Sequence, residues 1–205
     1  MPQAWNIETG KNTITIGVID SGIDSSHPEF AGRIDGNIFY DFRGAGIGLQ
    51  KPLHTPNPTD LHGHGTWVSG ILAMKGINAI GICWDIKQVS FKVFSNVNGI
   101  PQGSGRYVLL AINYAGAFAI PVLNFSGGST KRTFNQSKTL KDYPGIFVCA
   151  AGNAGTNNDS KYFFPARHSD LPNVISVGGT KANNDAPATS SDLVEVMVQI
   201  MVTPK

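Results

Sequence analysis

The sequence contains little charge. Asp, Glu, Lys and Arg make up 15% of its 205 residues, against about 25% in an average soluble domain. The net charge is only +2, and Lys and Arg form no basic block. This composition excludes a disordered, charge-rich chain. It also predicts no nucleic-acid partner, because such a partner requires a concentrated positive surface.

Long hydrophobic runs are missing as well. No stretch reaches the roughly 18 consecutive apolar residues that a membrane-spanning helix needs, so no membrane partner is predicted. The first residues, Met1-Pro2-Gln3-Ala4-Trp5, have neither the basic start nor the apolar run of a signal peptide. The sequence therefore leaves the compartment unassigned.

Cysteine is scarce, since only Cys83 and Cys149 are present. Two cysteines do not make the disulfide framework of a small secreted domain. Cys149 lies in the apolar run 146–151, which predicts a buried free thiol.

Apolar residues, by contrast, make up 41% of the chain, and glycine (24) and proline (12) are frequent. Short apolar runs rich in β-branched residues alternate with segments of helical spacing. Strands are predicted at 14–20, 37–42, 89–94, 120–126, 146–151 and 174–178. Helices are predicted at 64–75 and from Ser104 through Ala115, and a short polar helix at 133–143. Residues 43–62 are predicted as a surface loop. Apolar strands alternating with helices predict one α/β domain, with a mostly parallel sheet and helices on both faces.

Asp20 stands where the first predicted strand ends, at the sheet edge where ligands of parallel sheets bind. Asp-Ser-Gly is common turn chemistry, so a turn residue is one interpretation. The other is a desolvated carboxylate that requires a partner.

His62 and His64 flank Gly63 just before a predicted helix. They suit a pair of loop histidines, a metal site or a general base. The metal site would use His54 as well, but no Cys or acidic cluster completes its ligand shell. A histidine between glycines at a cleft edge, with a carboxylate to hold its tautomer, has what a general base needs.

Two further strand ends carry small or polar residues. Asn153 follows Ala150-Ala151-Gly152, and it is either a turn residue or a donor aimed at a developing oxyanion. Ser126-Gly127-Gly128 is either a simple turn or an edge that pairs with an extended peptide.

Taken together, these segments resemble the subtilisin-like serine peptidases, the subtilase family, over roughly residues 3–180. The stretch from Ile16 to Ile23, followed by His27-Pro28-Glu29-Phe30, is similar to the family's Asp motif. His62 to Gly70 is similar to its His motif, and Ala150-Ala151-Gly152-Asn153 to its oxyanion-hole motif. The strand from Val174 to Gly179 is similar to the family's next strand.

The resemblance implies a subtilisin-like three-layer fold and hydrolysis of peptides or proteins by acyl transfer. It implies that Asp20 orients His64, that His64 takes the proton of a serine, and that Asn153 donates to the oxyanion. Ser126, Gly127 and Gly128 would line the strand site of the substrate, and Gly152 the specificity pocket.

The family's serine motif is absent from this sequence. Its nucleophile stands in a Gly-Thr-Ser-Met-Ala-like segment, but none of the pairs Gly65-Thr66, Gly155-Thr156 and Gly179-Thr180 is followed by Ser. We therefore predict a partial peptidase domain over 1–189 without the carboxy-terminal third, a divergent tail over 190–205, and no activity of this chain alone. The alternatives are a non-catalytic peptide-binding pseudoprotease and an unstable truncated product.

No cofactor is predicted. Calcium is possible by family, but the segment 75–81 looks shorter than the calcium loop of the bacterial enzymes. Asn78 and Glu29 resemble remnants of such a site, and no metal is predicted there.

Overall fold

A computed structural model describes residues 2–43, 52–54, 59–76 and 78–179. Its strands are β1 (Thr15–Asp20), β2 (Tyr40–Asp41), β3 (Leu53–His54), β4 (Lys87–Lys92), β5 (Phe94–Val97), β6 (Ile100–Gly103), β7 (Val122–Phe125), β8 (Ile146–Ala150) and β9 (Val174–Val177). Its helices are α1 (Pro2–Trp5), α2 (His64–Ala73), α3 (Gly105–Ala117) and α4 (Gln136–Asp142), with 3-10 turns at Pro28–Phe30 and Ala166–His168.

A seven-stranded sheet in the order β3-β2-β4-β1-β7-β8-β9 forms the centre of the described chain. Six of its strands run parallel, from β2 to β9, and only β3 is antiparallel. The predicted strands 14–20, 89–94, 120–126, 146–151 and 174–178 are therefore confirmed as neighbours in one parallel sheet. The weaker strand predicted at 37–42 is only two residues long, at Tyr40–Asp41.

The sheet is buried on both faces, which explains its continuous apolar strands. On one face, Phe91, Leu123 and Phe147 pack with Val108 and Ile112 of α3. A second cluster joins residues of β1, α2, β7 and β8, namely Ile16, Val18, Leu72, Ala73, Val122 and Val148. The alternation along β1 thus supplies both layers, and the predicted helices on both faces are confirmed.

Two parts of the prediction need correction. The loop predicted over 43–62 contains the strand β3, which pairs with β2 through Tyr40↔His54 and Asp41↔Leu53. Phe94, predicted as the end of a sheet strand, instead begins the separate two-stranded hairpin β5–β6. The hairpin was missed because most of its residues are exposed, so no buried face imposes an apolar pattern.

The helix boundaries follow local chemistry. Ser104, predicted to open a helix, is the N-cap of α3, and its Oγ accepts the backbone N–H of Arg106 at 3.3 Å. The polar helix predicted at 133–143 is α4. The helix predicted at 64–75 ends at Ala73.

Both cysteines are free, and Cys149 is fully buried, as predicted. Burial raises the pKa of the Cys149 thiol to about 12. No helix in the part of the chain that the structure describes is long and apolar enough to cross a membrane. The tail predicted at 190–205, and its boundary at residue 189, lie outside the described residues.

Candidate active site

Asp20 and His64 meet where β1 ends and α2 begins. The Nδ1 atom of His64 lies 2.8 Å from Oδ1 and 3.0 Å from Oδ2 of Asp20, although 44 residues separate the two in the chain. The Asp20 side chain is 2% exposed and the His64 side chain is 39% exposed. The structure therefore places a buried carboxylate against a histidine that solvent and a substrate can reach.

Glycines allow this approach. Gly63, the residue before α2, has φ = 94°, a left-handed conformation that glycine adopts without steric cost. A Cβ atom on Gly65 would lie 2.1 Å from the carbonyl oxygen of Gly22 and 3.1 Å from Cβ of Asp20. The first turn of α2 thus contacts the backbone that follows β1, and a larger residue at position 65 would force the two apart.

The hydrogen bond sets the proton arrangement of the imidazole. Because Nδ1 lies against a carboxylate, which only accepts, Nδ1 carries the proton and donates it. Proton transfer to a reacting group then falls to Nε2. The carboxylate of Asp20 is itself held by the backbone N–H of Ser21, which donates to Oδ1 at 2.7 Å.

A second group of predicted residues lines a cleft at the carboxyl ends of β7 and β8. This edge cleft has a volume of about 460 Å³ and is formed by Ser126, Gly127, Gly128, Ala150, Gly152, Asn153, Ala154 and Phe163. All five residues predicted for substrate strand, pocket and oxyanion therefore come together in one place. His64 does not line the cleft, but β1 is the parallel neighbour of β7, so both sites lie on the same edge of the sheet.

A cavity of about 330 Å³ adjoins the edge cleft through Gly128. Phe94, Gly103, Val108, Phe125 and Gln136 are among its lining residues. Sequence reasoning missed this cavity because two of its walls come from the β5–β6 hairpin and from α3, which only the tertiary fold brings beside β7.

The residues do not form a metal centre. Among the residues that the structure describes, no three His, Cys, Asp or Glu side chains are grouped to hold an ion. The His62 and His64 ring centroids lie 6.2 Å apart, and Nδ1 of His64 is engaged by Asp20. The arrangement suits a base with its orienting carboxylate rather than a pair of metal ligands.

Glu29 and Asn78 do meet, but they do not fit a calcium site. The backbone N–H of Asn78 donates to Oε1 of Glu29 at 2.9 Å, and its Nδ2 approaches the same oxygen at 3.4 Å. Calcium is bound by several converging oxygens, whereas here N–H groups point at the carboxylate. The contact ties the turn after α2 to the 3-10 turn at Pro28–Phe30.

Sequence reasoning also missed a third acid, Asp60. Its carboxylate accepts hydrogen bonds from the backbone around the start of α2 and from Ser21, the residue after Asp20. One signal was available: α2 begins after a glycine, which has no capping side chain, and an acid three residues earlier can supply the missing acceptor.

Comparison with known proteins decides the family. The profile described as "Subtilase family" matches residues 11–203. The chain belongs to the subtilase family. This subtilase chain is similar to thermitase from Thermoactinomyces vulgaris, with 28% identity over 193 residues, covering 93% of this chain and 63% of thermitase. It is 33% identical to subtilisin E from Bacillus subtilis (strain 168) over 189 residues, which cover 89% of this chain and 45% of that protein.

Solved structures support the subtilase fold. The nisin leader peptidase NisP from Lactococcus lactis superposes with a TM-score of 0.72 at 24% identity, over 93% of this chain and 63% of that structure. A cold-adapted subtilisin-like serine proteinase superposes with a TM-score of 0.65 at 24% identity, over 83% of this chain and 56% of that structure. The chain thus spans less than two thirds of the length of thermitase, subtilisin E and both of these solved structures.

Proposed function

We propose that this subtilase chain carries the acid–base and oxyanion parts of a serine endopeptidase site, whose substrates are peptides or proteins. The observation that carries the proposal is the Asp20–His64 hydrogen bond of 2.8 Å between a buried carboxylate and an accessible imidazole. Such a pair holds the imidazole in the tautomer that leaves Nε2 free and stabilises the imidazolium that forms when a hydroxyl loses its proton.

The edge cleft supplies the other requirements of acyl transfer. Asn153 is exposed at its rim, so its side-chain amide can donate to an oxyanion that develops on a scissile carbonyl. Gly127 and Gly128 follow β7 without belonging to a strand, which leaves backbone there for pairing with an extended peptide. The adjoining 330 Å³ cavity would receive a side chain of that peptide.

The nucleophile is the part that this sequence does not supply in its familiar motif. No Gly-Thr-Ser stretch occurs in the 205 residues. In a complete site, a serine Oγ would attack the carbonyl carbon as His64 Nε2 takes its proton. His64 would then give that proton to the leaving amine, and water would release the acyl group.

The proposal is tested on the chain itself with an activated peptide ester, whose hydrolysis an oxyanion donor and substrate binding accelerate without a protein nucleophile. Preparations are first treated with a fluorophosphonate, which removes contaminating serine hydrolases. A site that lacks only its nucleophile is expected to retain roughly a thousandfold acceleration over water. That rate should fall about tenfold or more in Asn153→Ala, which removes the oxyanion donor. His64→Ala should change it little, because without the family's serine His64 has no hydroxyl to deprotonate.

Equal ester hydrolysis by the parent chain and the Asn153→Ala variant would contradict the proposal. If the chain then still bound peptides at the edge cleft, the result would favour the peptide-binding pseudoprotease. Ser104→Ala, which removes the N-cap of α3, serves as the control for a general loss of stability.

A further inference from the structure

The start of α2, the helix that carries His64, lacks a capping side chain of its own. The first backbone N–H groups of a helix need acceptors from outside it, and the N-cap residue here is Gly63. Asp60 provides them: Oδ1 accepts the N–H of Gly63 at 2.9 Å, and Oδ2 accepts the N–H of Thr66 at 2.9 Å. The hydroxyl of Thr66 also donates to Oδ2 at 2.7 Å.

The same carboxylate is bonded to the loop that follows β1. The Ser21 hydroxyl donates to Oδ1 of Asp60 at 2.9 Å and accepts the backbone N–H of Gly65 at 3.0 Å. The backbone N–H of Asp24 donates to the hydroxyl oxygen of Thr66 at 2.9 Å. Two hydroxyl groups therefore join Asp60, α2 and the loop after Asp20 into one network.

Lys92 ties this network to the sheet. It stands on β4 opposite Asp20 in the parallel pair β1–β4, and it is only 2% exposed. Its Nζ donates to the carbonyl oxygen of Ser21 at 2.6 Å and to that of Thr59 at 2.5 Å. The backbone on both sides of the network is thereby held by one buried cation.

We propose that Asp60 is a positioning residue for the histidine base: it holds the start of α2 against the loop after β1, and so sets the contact between His64 and Asp20. Asp60 itself acts through Gly63, Ser21 and Thr66. The proposal rests on the proposed function only in calling His64 the base, because the contact it concerns is already present in this chain.

The charge of Asp60 agrees with this geometry. Burial acts to raise the pKa of the Asp60 carboxyl, but the hydrogen bonds from Thr66, Gly63 and Ser21 outweigh it and leave that pKa below its usual value. The group is therefore an ionised acceptor at neutral pH, as its hydrogen-bond donors require. Burial lowers the pKa of Lys92, and Asp60 is among the charges that act in the opposite direction.

The test reads the contact directly, by nuclear magnetic resonance of the Nδ1 proton of His64 in a chain labelled with ¹⁵N-histidine. The chain has five histidines, so His64→Gln assigns the resonance. The informative variants are Asp60→Asn and the uncharged change Thr66→Val, which removes a hydroxyl without removing a charge. Thr66→Ser restores the hydroxyl, and Ser104→Ala removes a comparable helix cap far from His64 in the chain.

We expect the Nδ1 proton to exchange with water about tenfold faster in Asp60→Asn and in Thr66→Val. Each variant loses one hydrogen bond that holds His64 against Asp20, and one hydrogen bond changes the opening equilibrium by about that factor. Thr66→Ser and Ser104→Ala should exchange at the parent rate. Thr66→Val keeps the test valid if Asp60→Asn does not fold.

Parent-like exchange in folded Asp60→Asn or Thr66→Val, with only a loss of stability like that of Ser104→Ala, would show that Asp60 is a helix cap and nothing more. A parent spectrum without a protected Nδ1 proton would also overturn the proposal. The protection of the Nδ1 proton and its exchange rate are both measured without ester hydrolysis. A failure of the proposed function is therefore recognised separately.

Discussion

Gly65 lies against Gly22 so closely that a Cβ on Gly65 would be 2.1 Å from the Gly22 carbonyl oxygen. This contact, made by the first turn of α2 and the loop after β1, is the backbone counterpart of the Asp20–His64 hydrogen bond. Any side chain at position 65 must separate the two elements on which the pair stands.

Replacing Gly65 by alanine should therefore destabilise the chain, although its helical backbone would accept alanine. We expect a loss of about 1–3 kcal/mol, the cost of overpacking a filled site, measured as the free energy of unfolding in urea. The matched control is Gly36→Ala, where an added Cβ meets nothing within 4 Å. Equal stability of the two variants would mean that α2 and the loop after β1 leave room for a Cβ at position 65, against the 2.1 Å separation from the Gly22 carbonyl oxygen.

The chain by itself should not react with a serine-directed fluorophosphonate probe. Acyl transfer needs a nucleophile, a base, an orienting group and an oxyanion donor, and the sequence offers no serine in the family's motif to complete His64, Asp20 and Asn153. Mass spectrometry of the treated chain checks this. Stoichiometric labelling that survives Asn153→Ala but disappears in His64→Ala would reveal a serine nucleophile outside the family's motif.

Calcium should not stabilise the part of the chain around residue 78. Glu29 is only 6% exposed, and its carboxylate accepts N–H donors from Asn78, so a chelator or added calcium should leave the unfolding midpoint unchanged. Glu29→Gln should cost about 1–3 kcal/mol, since it replaces one of the two buried acceptor oxygens by an NH₂ group that faces N–H donors. The control is Asp142→Asn, which breaks an exposed ion pair with Lys138. It should lower the free energy of unfolding by only about 0.3–0.5 kcal/mol. A midpoint that rises with calcium in the parent but not in Glu29→Gln would contradict this expectation.

Asp60 should contribute to stability in a defined pH range. Its folded-state pKa is lowered from the ordinary value of 3.8, so the folded state favours the ionised form. Its contribution is then fully present above that ordinary value and is lost as the pH falls through the lower folded value. The stability difference between the parent and Asp60→Asn should accordingly be largest at pH 5–7, about one to three units above the ordinary value. It should shrink below about pH 4. A difference that grows on acidification would have the wrong sign.

The two thiols should differ in reactivity. Burial raises the pKa of both, that of Cys149 to about 12 and that of the half-buried Cys83 by a smaller desolvation together with the nearby Glu8 charge. In the native chain at pH 8, iodoacetamide should modify Cys83 slowly, and Cys149 only when the chain unfolds, because the thiolate is the reactive form. Peptide mapping after timed alkylation measures this. Modification of Cys149 at the rate of Cys83 would indicate that β8 is not enclosed.

The sequence alone determined the parallel sheet and the location of its chemistry. Strands buried on both faces must be apolar throughout, which is why β1, β7 and β8 could be recognised from Ile16, Leu123 and Phe147 without any partner in view. Asp20 and His64 could likewise be placed at element ends, because the turn chemistry there is local.

The tertiary structure alone decided how those ends are joined. The β5–β6 hairpin has no buried face to leave a pattern in the sequence, and the two-residue strand β3 forms only because β2 offers it an edge. Asp60 obtains its role from donors on Ser21, 39 residues away, and on Thr66 beyond the turn. Hydrogen bonds between side chains distant in sequence depend on the relative placement of whole elements, and that placement is fixed by the packing of the sheet and its helices.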